Sequence, residues 1–228
     1  METPLPTGIN GLDRLMKGGI PLKQVTLIYG AAKTGKTTLL LQTAINTASR
    51  FKVLYLDVDS TFNVRRFKQI SDKDRESVSQ NILIFAPETF EQQTSIVESL
   101  ENYVTGRTRL IAVDAISTLY RVGSLNAVER FSRNRELNRQ LAYLTGLAFQ
   151  HNLAVLVSSP VRSAMATDPT EIEPVAKRTL FHWPETIIRL KSTQSVSVRQ
   201  VVIERLSSSP TGLMCRLRLC ERGFTDMD

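Results

Sequence analysis

The chain has 228 residues, which is long enough for one large α/β domain with a full hydrophobic core. Hydrophobic residues make up 42% of it and charged residues 22%, an ordinary balance for a soluble globular protein, and no apolar run approaches the length of a membrane span. The formal net charge of +7 fits an anionic partner such as nucleic acid, and a solvated basic surface accounts for such an excess equally well.

The cysteines and the N-terminus indicate the cellular compartment. Cys215 and Cys220 have neither the spacing of zinc ligands nor that of a redox motif, so we expect structural thiols in a reducing compartment. The first residues show no signal-peptide pattern. We therefore expect a cytoplasmic protein with no membrane partner.

Apolar, β-rich runs alternate with helical patterns along most of the chain, which predicts βαβ units. The predicted strands span residues 25–29, 53–58, 82–85, 110–113 and 153–158, and the predicted helices span 37–50, 89–104 and 127–150. Further strands at 186–190, 197–206 and 214–219 follow one another without helices. Segment 159–179 holds Pro160, Pro169 and Pro174 and few apolar residues, so we expect a long mobile loop there. The expected fold class is α/β, a twisted and mostly parallel sheet with helices on both faces and antiparallel strands added at its C-terminal side.

The most informative motif is a glycine-rich loop between the first predicted strand and the first predicted helix. Residues 30–37 match the pattern G-x-x-x-x-G-K-[ST], whose backbone N–H groups surround phosphate oxygens at a helix N-terminus. Lys36 would place its charge on the β- and γ-phosphates, and the Thr37 hydroxyl would coordinate Mg²⁺. The expected ATP-binding residues are Gly30, Ala31, Ala32, Lys33, Thr34, Gly35, Lys36, Thr37 and Thr38.

A second phosphate-related motif is an apolar strand that ends in a carboxylate. Residues 110–113 are apolar and Asp114 follows them. Such a strand lies beside the phosphate-loop strand in nucleoside triphosphatases, and its carboxylate orients Mg²⁺ directly or through water. The sequence therefore predicts ATP and Mg²⁺ as cofactors, with Thr37 and Asp114 at the metal.

Four segments carry a resemblance to a known family: 7–21 before the phosphate loop, 55–62, 114–121 and 222–226. With them the sequence resembles the RecA-like ATPases, and within these the archaeal RadA recombinase group, over nearly the whole chain. The first segment and the phosphate loop also occur in KaiC-like ATPases. Four features favour the recombinases: residues 119–121, residues 129–130, the segment of His182 and the C-terminal ending.

The resemblance implies a three-layer RecA-like P-loop ATPase core formed by residues 1–228 as a single domain, without the N-terminal helical DNA-binding domain of full-length recombinases. It aligns Asp59 with the catalytic acid, Arg66 with an arginine that packs on adenine, and His182 with a γ-phosphate sensor. It also places DNA beside two loops. The expected DNA-binding residues flank those loops and are Arg121, Arg130, Arg162, Lys177 and Arg178.

Several positions depart from the recombinase pattern. The catalytic acid is normally Glu, and Asp59 is one methylene shorter. Ser158 and Ser159 replace an Asn-Gln pair that senses the γ-phosphate, and Ala176 and Lys177 replace two loop glycines. The loop at 122–128 is shorter than in the family and lacks its Gly-Arg-Gly. These departures imply weak ATP hydrolysis and no independent strand exchange.

The resemblance thus implies an ATP- and DNA-binding accessory protein of homologous recombination and DNA repair. Its expected partners are single-stranded or branched DNA, bound with little sequence preference, a RadA-type recombinase and a Holliday-junction nuclease, and we expect no long self-filament. The alternative is a KaiC-like regulatory ATPase that acts through protein partners. Asp59 and the pair Ser158-Ser159 disfavour a third function, that of a DNA-stimulated motor or full recombinase.

Overall fold

The computed structural model describes residues 3–71, 75–122, 126–163 and 172–227, apart from a few side chains next to the gaps. Its strands are β1 (Gln24–Gly30), β2 (Lys52–Asp57), β3 (Ile82–Phe85), β4 (Thr108–Asp114), β5 (Ala154–Ser159), β6 (Val161–Ser163), β7 (Ile172–Pro174), β8 (Thr186–Ser192), β9 (Val198–Leu206), β10 (Ser209–Cys220) and β11 (Gly223–Asp226). Its α-helices are α1 (Asn10–Leu15), α2 (Lys36–Ala48), α3 (Val64–Ile70), α4 (Arg75–Gln80), α5 (Phe90–Ser99), α6 (Ala127–His151) and α7 (Lys177–His182). Two 3₁₀ helices span Leu100–Tyr103 and Leu119–Arg121.

One large sheet organises the described residues, with its strands in the order β11-β10-β9-β8-β1-β5-β4-β2-β3. The six strands β8, β1, β5, β4, β2 and β3 run parallel to one another, whereas β9, β10 and β11 are added antiparallel beyond β8. This arrangement confirms the predicted fold class, although β5 lies between β1 and β4, so the strand that ends in Asp114 is not beside the phosphate-loop strand as expected. It also gathers the C-terminal ends of β1, β2, β4 and β5 at one edge, where ligands bind in open parallel sheets.

Each face of the sheet carries its own hydrophobic core. Ile28 of β1 points into a cluster with α2 residues such as Leu40, whereas its neighbour Leu27 points into a cluster with α6 residues such as Leu141 and Leu144. Side chains alternate between faces along a strand, so a strand covered on both sides must be apolar throughout. Burying each leucine contributes about 1.5–3 kcal/mol, and these two layers hold the strand ends in place.

Helix α6 has strong local signals at both of its ends. Asn126 accepts a hydrogen bond from the Glu129 backbone N–H, and the Glu129 carboxylate accepts one from the Asn126 N–H, which makes a capping box. At the other end Asn152 adopts a left-handed conformation, with φ of 56°. These end signals fix the limits of α6, for which the sequence predicts a helix over 127–150.

The predicted long loop at 159–179 is wrong for its described part. Residues Val161–Ser163 pair antiparallel with Ile172–Pro174, and α7 begins at Lys177. Val175 and Leu180 are buried and supply the apolar anchors for this segment. The burial of these two side chains orders the described part of the segment, although its composition is rich in proline.

Short elements and the last strand were also missing from the prediction. Helices α1, α3 and α4 have six or seven residues each, too few for a clear 3.6-residue repeat. The four-residue strand β11 pairs with β10 at the sheet edge. Within the described part of the chain, no helix combines the length and the apolar character needed to cross a membrane.

Candidate nucleotide-binding site and basic cleft

The phosphate loop joins the end of β1 to the start of α2, and its two glycines are fixed by their surroundings. A Cβ on Gly30 would lie 2.4 Å from the backbone oxygen of Leu190 in the next strand. Gly35 has φ of 98°, and a Cβ there would lie 2.6 Å from the ring of Phe224. Gly35 is also the N-cap of α2, and because it has no side chain it cannot accept hydrogen bonds from the N–H groups of the first turn. Those N–H groups and the helix dipole can serve a phosphate instead.

The Lys36 ammonium lies over the loop, where it donates hydrogen bonds to the carbonyl oxygens of Gly30 at 2.9 Å and Ala31 at 3.0 Å. Burial lowers the pKa of this amine, and the negative charges of Asp114 and Asp59 raise it in part. The loop and the two carboxylates thus hold Lys36 where phosphate oxygens would arrive.

Asp114 ends β4 and is almost fully buried, with 1% of its surface exposed. Its carboxylate accepts hydrogen bonds from the hydroxyl of Ser158 at 2.5 Å, from Tyr55 at 3.3 Å and from Thr37. Burial raises the pKa of Asp114, and the bonds from Ser158 and Thr37 lower it in part. Hydroxyl and carboxylate oxygens are the donors that Mg²⁺ prefers, so the residues predicted at the metal are together and suit it.

Asp59 lies just beyond β2, half-buried, and accepts a hydrogen bond from the Thr118 hydroxyl. Together with Lys36, Thr37 and Thr38 it lines a cleft of about 580 Å³. The side wall of the same cleft includes Arg121. The candidate catalytic acid therefore lines the same cleft as the phosphate loop, and its catalytic role stays a prediction.

Arg66 and His182 are not among the residues that line the cleft at the phosphate loop. The Arg66 guanidinium donates to the backbone oxygens of Glu221 at 2.6 Å and Cys220 at 3.1 Å, and it approaches the Thr38 hydroxyl at 3.5 Å. This puts Arg66 on the rim of the cleft. His182 is exposed and packs edge-to-face on Trp183, with ring centroids 5.2 Å apart.

A second cleft, of about 550 Å³, gathers three of the predicted DNA-binding residues. Arg130 from α6 lines it together with Lys177 and Arg178 from α7. Lys177 also makes an ion pair with Glu173 at 3.3 Å. We call this surface the basic cleft. Arg121 belongs to the nucleotide cleft instead, and the Arg162 side chain lies outside the described residues.

Two residues that sequence reasoning left without a role support the site. Ser158 was noted only as a departure from Asn, yet its hydroxyl bonds Asp114. Arg199 of β9 donates to the backbone oxygen of Lys33 at 3.1 Å, although 166 positions separate the two residues. The sequence offered one indication for Ser158, which is its position at the end of an apolar strand. It offered no indication that Arg199 contacts the phosphate loop.

Comparison with known proteins shows the family of the chain. A protein-family model described as Rad51 matches residues 3–227. The DNA repair and recombination protein RadB of Thermococcus kodakarensis is 34% identical over 227 residues, which is 98% of this chain and 100% of that protein. The chain belongs to the Rad51 family, within its archaeal RadB group.

Other members of the group show the same extent of similarity. The RadB protein of Thermococcus onnurineus is 33% identical over 226 residues, covering 98% of this chain and 97% of its own. The crystal structure of the RadB recombinase superposes with a TM-score of 0.82 at 32% identity, covering 98% of this chain and 100% of that one. The resemblance to archaeal recombinases is thereby confirmed, and so is the RecA-like core.

Proposed function

We propose that this RadB-group protein is an ATP- and DNA-binding accessory factor of homologous recombination and DNA repair, and that it acts in the cytoplasm as a single ATPase core. The proposal is based on the presence of two clefts in the same domain. One is lined by the phosphate loop, and the other by Arg130, Lys177 and Arg178. The similar proteins of Thermococcus are named for DNA repair and recombination.

For ATP, the residues of the first cleft divide the work. Lys36 and the first turn of α2 bind phosphate, while Thr37 and Asp114 hold Mg²⁺. Bound Mg²⁺ would neutralise charge on the phosphates. Arg66 stands beside Thr38 on the rim, and we assign it to the adenine side of the nucleotide, where a guanidinium can stack on the base.

Hydrolysis should be slow. Asp59 is the candidate base, and its carboxylate is engaged by Thr118. Because aspartate is one methylene shorter than glutamate, its oxygens fall about an ångström short of the position that the family's acid would reach. Misplacement on this scale costs about 100-fold in rate. We assign the protein a weak Mg²⁺-dependent ATPase and no independent strand exchange.

For DNA, the basic cleft offers the cations of Arg130, Lys177 and Arg178, which can bind backbone phosphates whatever the base sequence. Part of its charge is offset, because Glu173 pairs with Lys177. Binding should therefore be largely sequence-independent, with dissociation constants of roughly micromolar or weaker at physiological salt. A protein this limited in catalysis would assist a RadA-type recombinase or junction processing. His182 beside Trp183 would report on the γ-phosphate only when a second subunit or a partner brings that phosphate to it.

The test is equilibrium binding of the wild-type protein to single-stranded and branched DNA over a series of salt concentrations, with and without ATP and Mg²⁺. The proposal expects the logarithm of the association constant to fall linearly with the logarithm of salt. A regulatory ATPase that acts on protein partners alone would bind ATP and leave DNA unbound, and that result would overturn the proposal.

A further inference from the structure

Among the predicted DNA-binding residues whose side chains the structure describes, Arg121 alone lines the nucleotide cleft. It ends the 3₁₀ helix Leu119–Arg121 and lines the same cleft as Asp59, Lys36 and Thr37. Its side chain is exposed to that cleft. Among the described residues, no hydrogen bond or ion pair engages its guanidinium.

The backbone that carries Arg121 is fixed on both sides. Its N–H donates to the Thr118 oxygen at 3.1 Å, and the Thr118 hydroxyl donates to Asp59. From the other side, the guanidinium of Arg133 in α6 donates to the backbone oxygens of Tyr120 at 3.2 Å and Val122 at 2.8 Å. The carbonyls around Arg121 are thus taken by Arg133, so the side chain of Arg121 is held at the cleft without an internal partner.

A guanidinium without an internal partner, in the same cleft as a phosphate loop, can bind a phosphate group. Relative to a diphosphate, a triphosphate adds a terminal group with further negative charge and oxygens that a planar guanidinium binds in a bidentate way. Lys36 already serves the loop side of that group. Arg121 and Asp59 line the same cleft as the loop, so a terminal phosphate bound at the loop would extend into the space that they line.

We propose that Arg121 binds the γ-phosphate of ATP from within the same subunit and so makes the site prefer a triphosphate to a diphosphate. The inference rests on the proposed ATP binding and moves Arg121 from the DNA surface to the nucleotide site. The neighbouring Tyr120 and Asn134 are hydrogen-bonded to each other at 2.9 Å and line the basic cleft. The turn at 119–121 therefore touches both clefts, and a γ-phosphate contact would reach the DNA surface through it.

The experiment compares equilibrium dissociation constants of Mg²⁺-ATP and Mg²⁺-ADP for the wild type, Arg121→Ala and Arg121→Lys. The matched control is Arg130→Ala, which removes an arginine from the basic cleft. Arg121→Ala should weaken ATP binding about tenfold or more and change ADP binding less than about twofold. Arg121→Lys should recover part of the loss, because it restores charge without the bidentate fork. Arg130→Ala should leave both nucleotides unaffected.

A DNA readout separates this role from a DNA contact. The salt slope of DNA binding should be unchanged in Arg121→Ala and smaller in Arg130→Ala. If Arg121→Ala keeps wild-type ATP affinity, or loses ATP and ADP equally, the inference fails while ATP binding itself stands. If the wild type binds no ATP, the proposed function fails and the inference falls with it.

Discussion

The hydroxyl of Ser158 donates a 2.5 Å hydrogen bond to Oδ1 of Asp114, and both residues are almost completely buried. The bond joins the end of β5 to the carboxylate proposed to hold Mg²⁺. Ser158 stands where the recombinase pattern has Asn. In this chain Ser158 therefore acts on the carboxylate of Asp114, which is a role separate from sensing of the γ-phosphate.

Removal of this bond should change the pH dependence of nucleotide binding. Burial raises the pKa of Asp114 and the Ser158 bond lowers it, so Ser158→Ala should raise the pKa further. Mg²⁺ needs the ionised carboxylate. As the pH falls, the variant should then lose Mg²⁺-ATP affinity at a higher pH than the wild type. Titration of Mg²⁺-ATP binding from neutral pH downwards measures this shift.

Ser159→Ala is the matched control for that experiment. The Ser159 hydroxyl bonds the Ser117 hydroxyl at 2.9 Å and the Pro160 oxygen at 2.9 Å, and neither of these bonds involves Asp114. Its pH profile should follow the wild type. Equal shifts in both serine variants would show that disturbance of β5, and not the bond to Asp114, is responsible.

Lys36→Ala and Thr37→Val should each weaken Mg²⁺-ATP binding at least tenfold. The first removes the ammonium over the phosphate loop, and the second removes an oxygen ligand while it keeps the side-chain shape. Contacts to charged groups contribute on the order of 1.5–3 kcal/mol each. Isothermal titration with ATP, with and without Mg²⁺, should show the Thr37→Val loss only when the metal is present. Wild-type affinity in both variants would remove the site assignment.

Asp59→Asn should lower the already slow hydrolysis by about tenfold or more, because an amide cannot accept the proton of the attacking water. ATP affinity should stay within about twofold of wild type, since Asp59 faces the cleft without holding phosphate or metal in the proposed site. Asp59→Glu restores the length of the family's acid and should raise turnover. Rapid, DNA-stimulated hydrolysis by the wild type would contradict the weak-ATPase assignment.

Phe224→Ala should destabilise the fold through the phosphate loop. Phe224 is 2% exposed, supports Gly35, and is held by Gln42, which bonds both its backbone N–H at 2.7 Å and its oxygen at 3.0 Å. Loss of the ring should reduce the free energy of unfolding by about 3–5 kcal/mol in urea titrations. Phe131→Ala is the control, because Phe131 is 71% exposed and should change stability by less than about 0.5 kcal/mol.

The sequence predicted those parts of the fold and site that depend on local patterns. The phosphate loop needs a strand, two glycines and a helix start within a few residues, and all of these are consecutive around Lys36. Asp114 was found in the same way, at the end of an apolar strand. The long helix α6 carries a repeat, a capping box and an Asn at its end.

The remaining features depend on contacts between distant segments. The bond from Arg199 to Lys33 joins the phosphate loop to an antiparallel strand near the other end of the chain. The strand pair within 159–179 was missed because its two short strands are anchored by a few buried residues such as Val175. Arg121 was assigned to DNA from the resemblance, and only the packing of its 3₁₀ helix against Asp59 and Arg133 places it on the nucleotide cleft.

The most direct test of the proposed function is the salt dependence of DNA binding by the variant with Lys177→Ala and Arg178→Ala together. Both residues line the basic cleft, and neither contacts the phosphate loop. If each neutralises one phosphate, the plot of log association constant against log salt should flatten by about 2 units, with ATP affinity unchanged. Wild-type affinity and slope in this variant would contradict the account, because DNA would then bind elsewhere or not through phosphates at this cleft.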